Sequence, residues 1–325
     1  MFASKSKYYP RIVFLSILFL LLNGAQYALR SQTFNNINAN IIGVFHGSVD
    51  WGDYDNDGDL DLLITGRIDG AANNIVKIYE NSNNVFTDAG YDFPGIFSGA
   101  AKWCDFNNDG YLDFAYTGMN DTYNMNRITK VYKNIAGYFI EVATNIPGLD
   151  HADLNWVDIN NDGSYDLFLS GFDGQSIQSF IYKNNLNDSF QNIPNAISGY
   201  IYPSSSWADF DGDGDMDLLI SGSIVHTPLN PKTKIYKNNG NFIFSEVATS
   251  LQDVVRGSNT VGDYDSDGDV DILITGKSGS IGYPIRNTIL YKNNNNFNFE
   301  LANSSFDQIK DSDAHYGDYD VDGDL

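Results

Sequence analysis

The sequence predicts an all-β fold built from repeats, and three observations carry that reading. A nine-residue Asp/Gly loop recurs six times in near-constant register, opening at Asp53, Asp105, Asp158, Asp209, Asp263 and Asp318. Each loop runs at once into a short apolar stretch of β-forming residues, such as Leu62-Leu63-Ile64-Thr65. No stretch after the N-terminal leader sustains a helical period. A unit of about 50 residues with four short strands is the pattern of a β-propeller blade. The expected fold is therefore a β-propeller of four-stranded antiparallel blades. Five repeats are complete and a sixth is truncated.

The chain begins with Lys5, Lys7 and Arg11, then the apolar run Ile12 to Leu22, then Asn23-Gly24-Ala25-Gln26. That order of basic, apolar and small residues is a secretory leader, and the run is too short to span a bilayer, which takes about 20 residues. Residues 1–26 are read as a signal peptide and 27–33 as a short segment before the repeats. The repeats occupy 34–325, and the mature chain is expected to be secreted or at the cell surface, with no membrane span.

The repeat frame follows. Phe34, Phe86, Phe139, Phe190, Phe244 and Phe299 each stand at the same distance before Trp51, Trp103, Trp156, Trp207, Val261 and Tyr316, here called the Trp slot. Two residues later the loop begins. In the complete units a Gly lies at another fixed distance after the Trp slot: Gly66, Gly118, Gly171, Gly222 and Gly276. A strand around Tyr79, Tyr132, Tyr182, Tyr236 or Tyr291 comes next, and each Tyr is followed by Lys or Glu and then Asn. Strand A leads to the Trp slot, B follows the loop, C holds the Tyr and D the next Phe. A single four-stranded sheet leaves its faces bare, so the Trp and Phe positions are expected to fill the space between blades.

The loop carries the chemistry. In Asp53-Tyr54-Asp55-Asn56-Asp57-Gly58-Asp59-Leu60-Asp61, carboxylates stand at positions 1, 3, 5 and 9 around a Gly at position 6. Calcium takes six to eight oxygen ligands, and alternating Asp side chains about a sharp turn supply them. Positions 1, 3, 5 and 9 would ligate by side chain and position 7 by its backbone carbonyl. The candidate ligands are Asp53, Asp55, Asp57, Asp59 and Asp61; Asp105, Asn107, Asp109, Tyr111 and Asp113; and Asp158, Asn160, Asp162, Ser164 and Asp166. They continue with Asp209, Asp211, Asp213, Asp215 and Asp217; Asp263, Asp265, Asp267, Asp269 and Asp271; and Asp318, Asp320, Asp322 and Asp324. Asn107 and Asn160 remove a charge at position 3, so their sites are expected to be weaker. An EF-hand would need a longer loop or a following helix, and the β-like Leu62–Thr65 argues against one.

The net charge of −23 belongs to these loops. They hold 25 of the 42 acidic residues, leaving 17 against 19 Lys and Arg. The rest of the chain is near neutral, and no basic stripe suggests nucleic acid. The single cysteine, Cys104, excludes an intrachain disulfide. It falls where other repeats have Gly52, Val157, Ala208, Gly262 and Gly317, so it reads as a small buried side chain.

These loops resemble the FG-GAP or VCBS repeats of secreted and cell-surface proteins, and are similar to the calcium-bearing repeats in the propeller of integrin α subunits. The resemblance covers residues 34–325. It implies one calcium ion per loop between strands A and B. In this sequence the family's ligands fall on Asp53, Asp55, Asp57 and Asp61, on Asp209, Asp211, Asp213 and Asp217, and on Asp263, Asp265, Asp267 and Asp271.

An antiparallel meander puts the A–B and C–D turns on one face and the B–C and D–A turns on the other. The stretch across B–C differs in length between repeats, shortest from Gly171 to Tyr182 and longest from Gly276 to Tyr291, whereas the A–B loops are constant. Variable loops on a rigid scaffold are where recognition concentrates. Candidate ligand contacts are Arg67, Tyr123, Arg127, Phe172, His226, Tyr283 and Arg286 from B–C, and His46, His151, Tyr202 and Arg256 from one equivalent D–A position. Arg and aromatic side chains suit sugar rings or protein surfaces. No paired metal-ligating histidines and no nucleophile elbow occur, so the expected role is a non-catalytic recognition or adhesion module for an extracellular glycan or protein. A polysaccharide lyase on the same scaffold and a structural spacer are the alternatives.

Overall fold

The computed structural model describes residues 36–69, 73–121, 123–279, 284–302 and 305–318. The expected leader, the segment 27–33, Phe34, Tyr283, Asp320, Asp322 and Asp324 lie outside the described residues. Within them every regular element is a β-strand.

Five sheets follow one another along the chain. Repeat 1 holds β1 (Val44–Phe45), β2 (Val49–Gly52), β3 (Asp61–Ile68), β4 (Asn74–Ser82) and β5 (Val85–Asp88). Repeat 2 holds β6 (Phe97–Cys104), β7 (Asp113–Asp121), β8 (Asn126–Ile135) and β9 (Tyr138–Val142). Repeat 3 holds β10 (Asp150–Val157), β11 (Asp166–Phe172), β12 (Ile177–Asn184) and β13 (Phe190–Ile193). Repeat 4 holds β14 (Ile201–Ala208), β15 (Asp217–Ser223), β16 (Pro231–Asn238) and β17 (Phe244–Val247). Repeat 5 holds β18 (Asn259–Gly262), β19 (Asp271–Ser278), β20 (Ile285–Asn293) and β21 (Phe299–Leu301). Each sheet is an antiparallel meander in chain order, with β1 and β2 both pairing β3.

The B strands are longer than the apolar stretch suggests. Each starts on the position-9 Asp, as β3 does at Asp61, and runs through the repeating Gly. Gly66 adopts φ 144°, and a Cβ there would stand 2.8 Å from the Val44 Cβ. Only glycine meets both demands there, whereas Gly118 and Gly171 are held to glycine by close approach, 2.8 Å from Ile96 Cδ1 and 2.6 Å from Ala152 Cβ.

Four cores form between successive sheets, and a further one lies on repeat 1 and the segment before it, around Leu62, Ile64 and Tyr79. The position-2 residue of one loop inserts against the next repeat. Tyr54 stacks on Trp103 with ring centroids 6.1 Å apart, and Phe106 on Trp156 at 5.7 Å. Phe139 and Phe190, from the D strands, close the other side at 5.8 and 5.5 Å. Ile159 and Phe210 enter the corresponding clusters of the later repeats. The Trp slot is therefore inter-repeat filler where a described repeat precedes it. Trp51, which has none before it, is 54% exposed while Trp103 is 8% exposed. Cys104 lies in the core between repeats 2 and 3, where burial pushes its thiol far up, as a small inert side chain.

Polar links set the stacking register. The Asn after each strand-C Tyr donates through Nδ2 to the position-2 carbonyl of the preceding repeat. Asn134 reaches Tyr54 O at 2.7 Å, Asn184 reaches Phe106 O at 2.6 Å, Asn238 reaches Ile159 O at 2.8 Å and Asn293 reaches Phe210 O at 3.0 Å. The A strands are linked too: Asp50 Oδ2 accepts from Trp103 N at 2.9 Å, and Asp153 Oδ2 from Ser205 N at 2.8 Å.

Removing an inter-repeat Asn therefore orphans buried carbonyl groups. Asn238→Ala is expected to cost about 1–3 kcal/mol in urea unfolding. Asn81→Ala is the control, because the Asn81 side chain donates at 3.0 Å to Leu60 O of its own repeat. Equal losses for the two variants would contradict the inter-repeat role.

Candidate metal centre in the repeated loops

Each loop folds on its own carboxylates. At position 1, Asp53 Oδ1 accepts from Asp57 N at 3.0 Å and Oδ2 from Gly58 N at 3.0 Å. Asp105, Asp158, Asp209 and Asp263 make the same two bonds. The position-5 carboxylate then takes the N–H of position 7, as Asp57 takes Asp59 N at 2.9 Å. Short Asp side chains compete for nearby N–H groups in this way and hold tight turns. Position 4 sits in the left-handed region in all five loops, at Asn56, Asn108, Asn161, Gly212 and Ser266. In the first three the Asn side chain crosses to the position-6 carbonyl of the next loop, Asn56 reaching Gly110 O at 2.9 Å. Loops 1 to 4 are thus linked in series.

Position 9 is the buried anchor. Asp61, Asp113, Asp166, Asp217 and Asp271 are fully buried. In each, Oδ2 accepts from the position-2 N–H and Oδ1 from the N–H of the strand-C Asn; for Asp166 these are Ile159 at 3.2 Å and Asn184 at 2.9 Å. Burial lifts their carboxyls: Asp61 and Asp166 to about 6, Asp113 and Asp217 to about 7, and Asp271 in the same direction. The backbone donors pull the other way, and the neighbouring loop carboxylates add to the rise.

Three loops bring acidic oxygens within 4.8 Å of one another: Asp53, Asp55 and Asp57; Asp209, Asp211 and Asp217; and Asp263, Asp265 and Asp271. These clusters could hold a metal ion. The donor set is all oxygen, which suits a hard cation. Asp211 Oδ1 is buried and has no hydrogen-bond partner among the described residues, so an acceptor stands ready in the cradle. In loops 2 and 3 the Asn oxygen takes the same place as the Asp: Asn107 Oδ1 accepts from Asp109 N at 2.9 Å and Asn160 Oδ1 from Asp162 N at 3.2 Å. Asp318 is the one ligand candidate of the sixth loop within the described residues.

A cation already stands at the cradle, which the sequence does not foretell. Lys237 bridges Asp211 and Asp213, Lys292 bridges Asp265 and Asp267, and Lys183 meets Asp162 at 2.9 Å. All three follow the strand-C Tyr. Hydrogen bonds donated to the flanking carboxylates hold the Lys237 and Lys292 ammonium groups well above their ordinary range. Repeat 1 has Glu80 at this place, and Lys133 of repeat 2 turns to Asp188 at 3.3 Å. The loops are therefore not equivalent. The Lys-Asn signal is visible in the sequence, but its reach into the loop is not.

The ligand candidates gather elsewhere. His151 lies edge-on to Tyr202 with ring centroids 4.5 Å apart, and His226 lies 6.4 Å from His151 and 5.2 Å from Phe172. The Arg256 Cζ sits 4.4 Å from the Tyr202 ring centroid. These B–C and D–A residues do come together. Arg67, Arg127, Phe172 and Arg286 stand on strands β3, β8, β11 and β20, not in loops. Arg67 covers Phe97 at 5.4 Å, and His46 packs on Phe45 at 5.4 Å. Tyr123 is 93% exposed, and Arg286 is also exposed. Arg127 is already engaged: it pairs with buried Asp150 at 3.0 Å and covers Phe172 at 5.1 Å.

Comparison with known proteins bears on the repeats. Residues 53–116 and 158–220 match the family model described as FG-GAP-like repeat. Each match starts on a position-1 Asp and ends in the B strand of the following repeat, so each contains two loops. No curated protein sequence matches the chain. Among solved structures, the crystal structure of the V. cholerae biofilm matrix protein Bap1 is similar with a TM-score of 0.43 and 16% identity, over 78% of this chain. The match covers 38% of the Bap1 chain.

The buried anchor can be tested without metal. Asp166→Ala leaves the N–H groups of Ile159 and Asn184 without their acceptor, and in excess EGTA it is expected to lose about 2–5 kcal/mol in urea unfolding. A loss under about 1 kcal/mol would contradict the anchoring role.

Proposed function

For a chain that carries FG-GAP-like repeats, we propose an exported, calcium-binding β-propeller that serves as a non-catalytic recognition or adhesion module. Calcium in the A–B loops braces the blades. An extracellular glycan or protein binds on the opposite face, where the B–C hairpins and D–A turns meet. The observation that carries the reading is the gathering of acidic oxygens within 4.8 Å in three of the repeated loops, with an unpartnered buried acceptor at Asp211. Oxygen ligands without imidazole or thiolate favour calcium over zinc or copper. The basic, apolar, small-residue order of residues 1–26 supports export.

The cation would be held by the side chains of positions 1, 3, 5 and 9, with Asn107 and Asn160 supplying amide oxygens in their loops. It would neutralise carboxylates whose burial is costly. A site filled at tenfold its Kd stabilises the fold by about 1.4 kcal/mol. In differential scanning calorimetry, excess EGTA is expected to lower Tm by at least about 3 °C, with recovery on calcium but not on equimolar magnesium. An unchanged Tm would overturn the structural role of calcium. A glycan array, run beside an assay for unsaturated uronate product, separates recognition from lyase chemistry: binding without product is the expected result.

The lysine at the cradle sets the order of filling. Glu80→Lys is expected to weaken the first site, and Lys237→Met to tighten the fourth, each by about fivefold in calcium titration by calorimetry. Unchanged affinities in both variants would show that the ammonium and the cation do not compete.

A further inference from the structure

The D–A turns share a backbone feature that the sequence frame only half reveals. His46, Ser98, His151, Tyr202, Arg256 and Asp311 occupy the same place in the frame, shortly before the Trp slot, and all have positive φ, from 46° to 55°. Left-handed backbone is disfavoured for residues with a side chain, and six equivalent occurrences point to a use. In repeats 2, 3 and 4 the pairing of strand A with B shifts register at this point. Such a bulge re-aims a side chain out of the sheet. The re-aimed residues meet the B–C hairpins, which is how His151, Tyr202, His226 and Arg256 come together.

Between repeats 4 and 5 this arrangement opens into a cavity of about 270 Å³, lined in part by Tyr202, His226, Pro228, Leu229, Arg256 and Lys277. One wall is apolar and ring-bearing. The other carries two cations. Arg256 Nε is buried with no hydrogen-bond partner among the described residues. Burial, followed by the neighbouring Arg256 charge, pulls the Lys277 ammonium below its ordinary range. The nearby anion, Asp311, pairs with Lys310 at 2.5 Å. Arg256 and Lys277 line this one cavity, on the face away from the acidic loops, and Asp311 faces both of them as well as Lys310.

We propose that this cavity binds a carboxylate-bearing sugar residue of an extracellular polysaccharide, with its carboxylate on Arg256 and Lys277 and its ring against His226, Pro228 and Leu229. The proposal rests on the recognition reading above and adds the chemical class of ligand. A guanidinium edge and an ammonium suit a carboxylate. The volume exceeds what a small inorganic anion fills, and the apolar wall gives a pyranose ring a surface to lie on.

The test is calorimetric titration of the full chain in calcium with trigalacturonate and with its carboxyl-reduced neutral trimer. The acidic trimer is expected to bind at least about tenfold tighter than the neutral one, and Arg256→Gln and Lys277→Gln should each weaken it about tenfold without moving Tm. Asp92→Asn, at an exposed carboxylate outside the loops and the cavity, should leave binding unchanged. Equal binding of the two trimers overturns the anionic specificity while the recognition reading stands. Binding that ignores both cavity variants places the ligand elsewhere and overturns this site. No binding of trigalacturonate at millimolar concentration overturns the proposal too, and leaves the recognition reading to the glycan array.

Discussion

A buried carboxylate at the start of each B strand holds the repeat together. Its two oxygens take one N–H from the loop and one from strand C, as Asp217 does with Phe210 and Asn238 at 3.1 and 2.8 Å. Three segments of chain are tied at one point. The arrangement buries charge, and buried charge without a counter-ion is costly. The same carboxylate that closes the loop faces further acidic oxygens, and in the fourth and fifth loops it belongs to a cluster that could hold a metal ion.

The stacking of repeats follows from the same point. The residue whose N–H binds the anchor is position 2. Its side chain enters the next repeat's aromatic cluster, and its carbonyl accepts from that repeat's Asn. Loop closure and repeat contact are thus one structural unit. A repeat cannot lose its anchor without loosening its neighbour, which is the coupling expected of repeat arrays. The faces are divided by the same geometry. Constant loops line the cation side, and hairpins of varying length line the other.

Much of this is legible in the sequence. The loop register marks the repeats, the strand order and the Asp clusters that could hold a metal ion, because those features are local and recur. Position 9 reads as a metal ligand, but its role as acceptor of two backbone N–H groups is hidden, since its partner Asn lies a whole hairpin further along the chain. The contact of Lys237 with Asp211 is hidden for the same reason. Arg127 looks like a free recognition residue, yet its partner Asp150 comes from the next repeat and is buried. The shared D–A position is visible at His46, His151, Tyr202 and Arg256. Ser98 and Asp311 escape notice because the common property is a backbone angle, not a side-chain type.

The central claim is that the cradle is folded by its own carboxylates and the buried anchor before any cation arrives. Amide hydrogen exchange in excess EGTA, read at the N–H groups of Phe106, Ile159, Phe210, Asn134, Asn184 and Asn238, tests it directly. The account predicts protection of about a thousandfold or more at these six amides, matching the strand interiors. Exchange at the rate of an unstructured chain, with protection returning only on calcium, would contradict it.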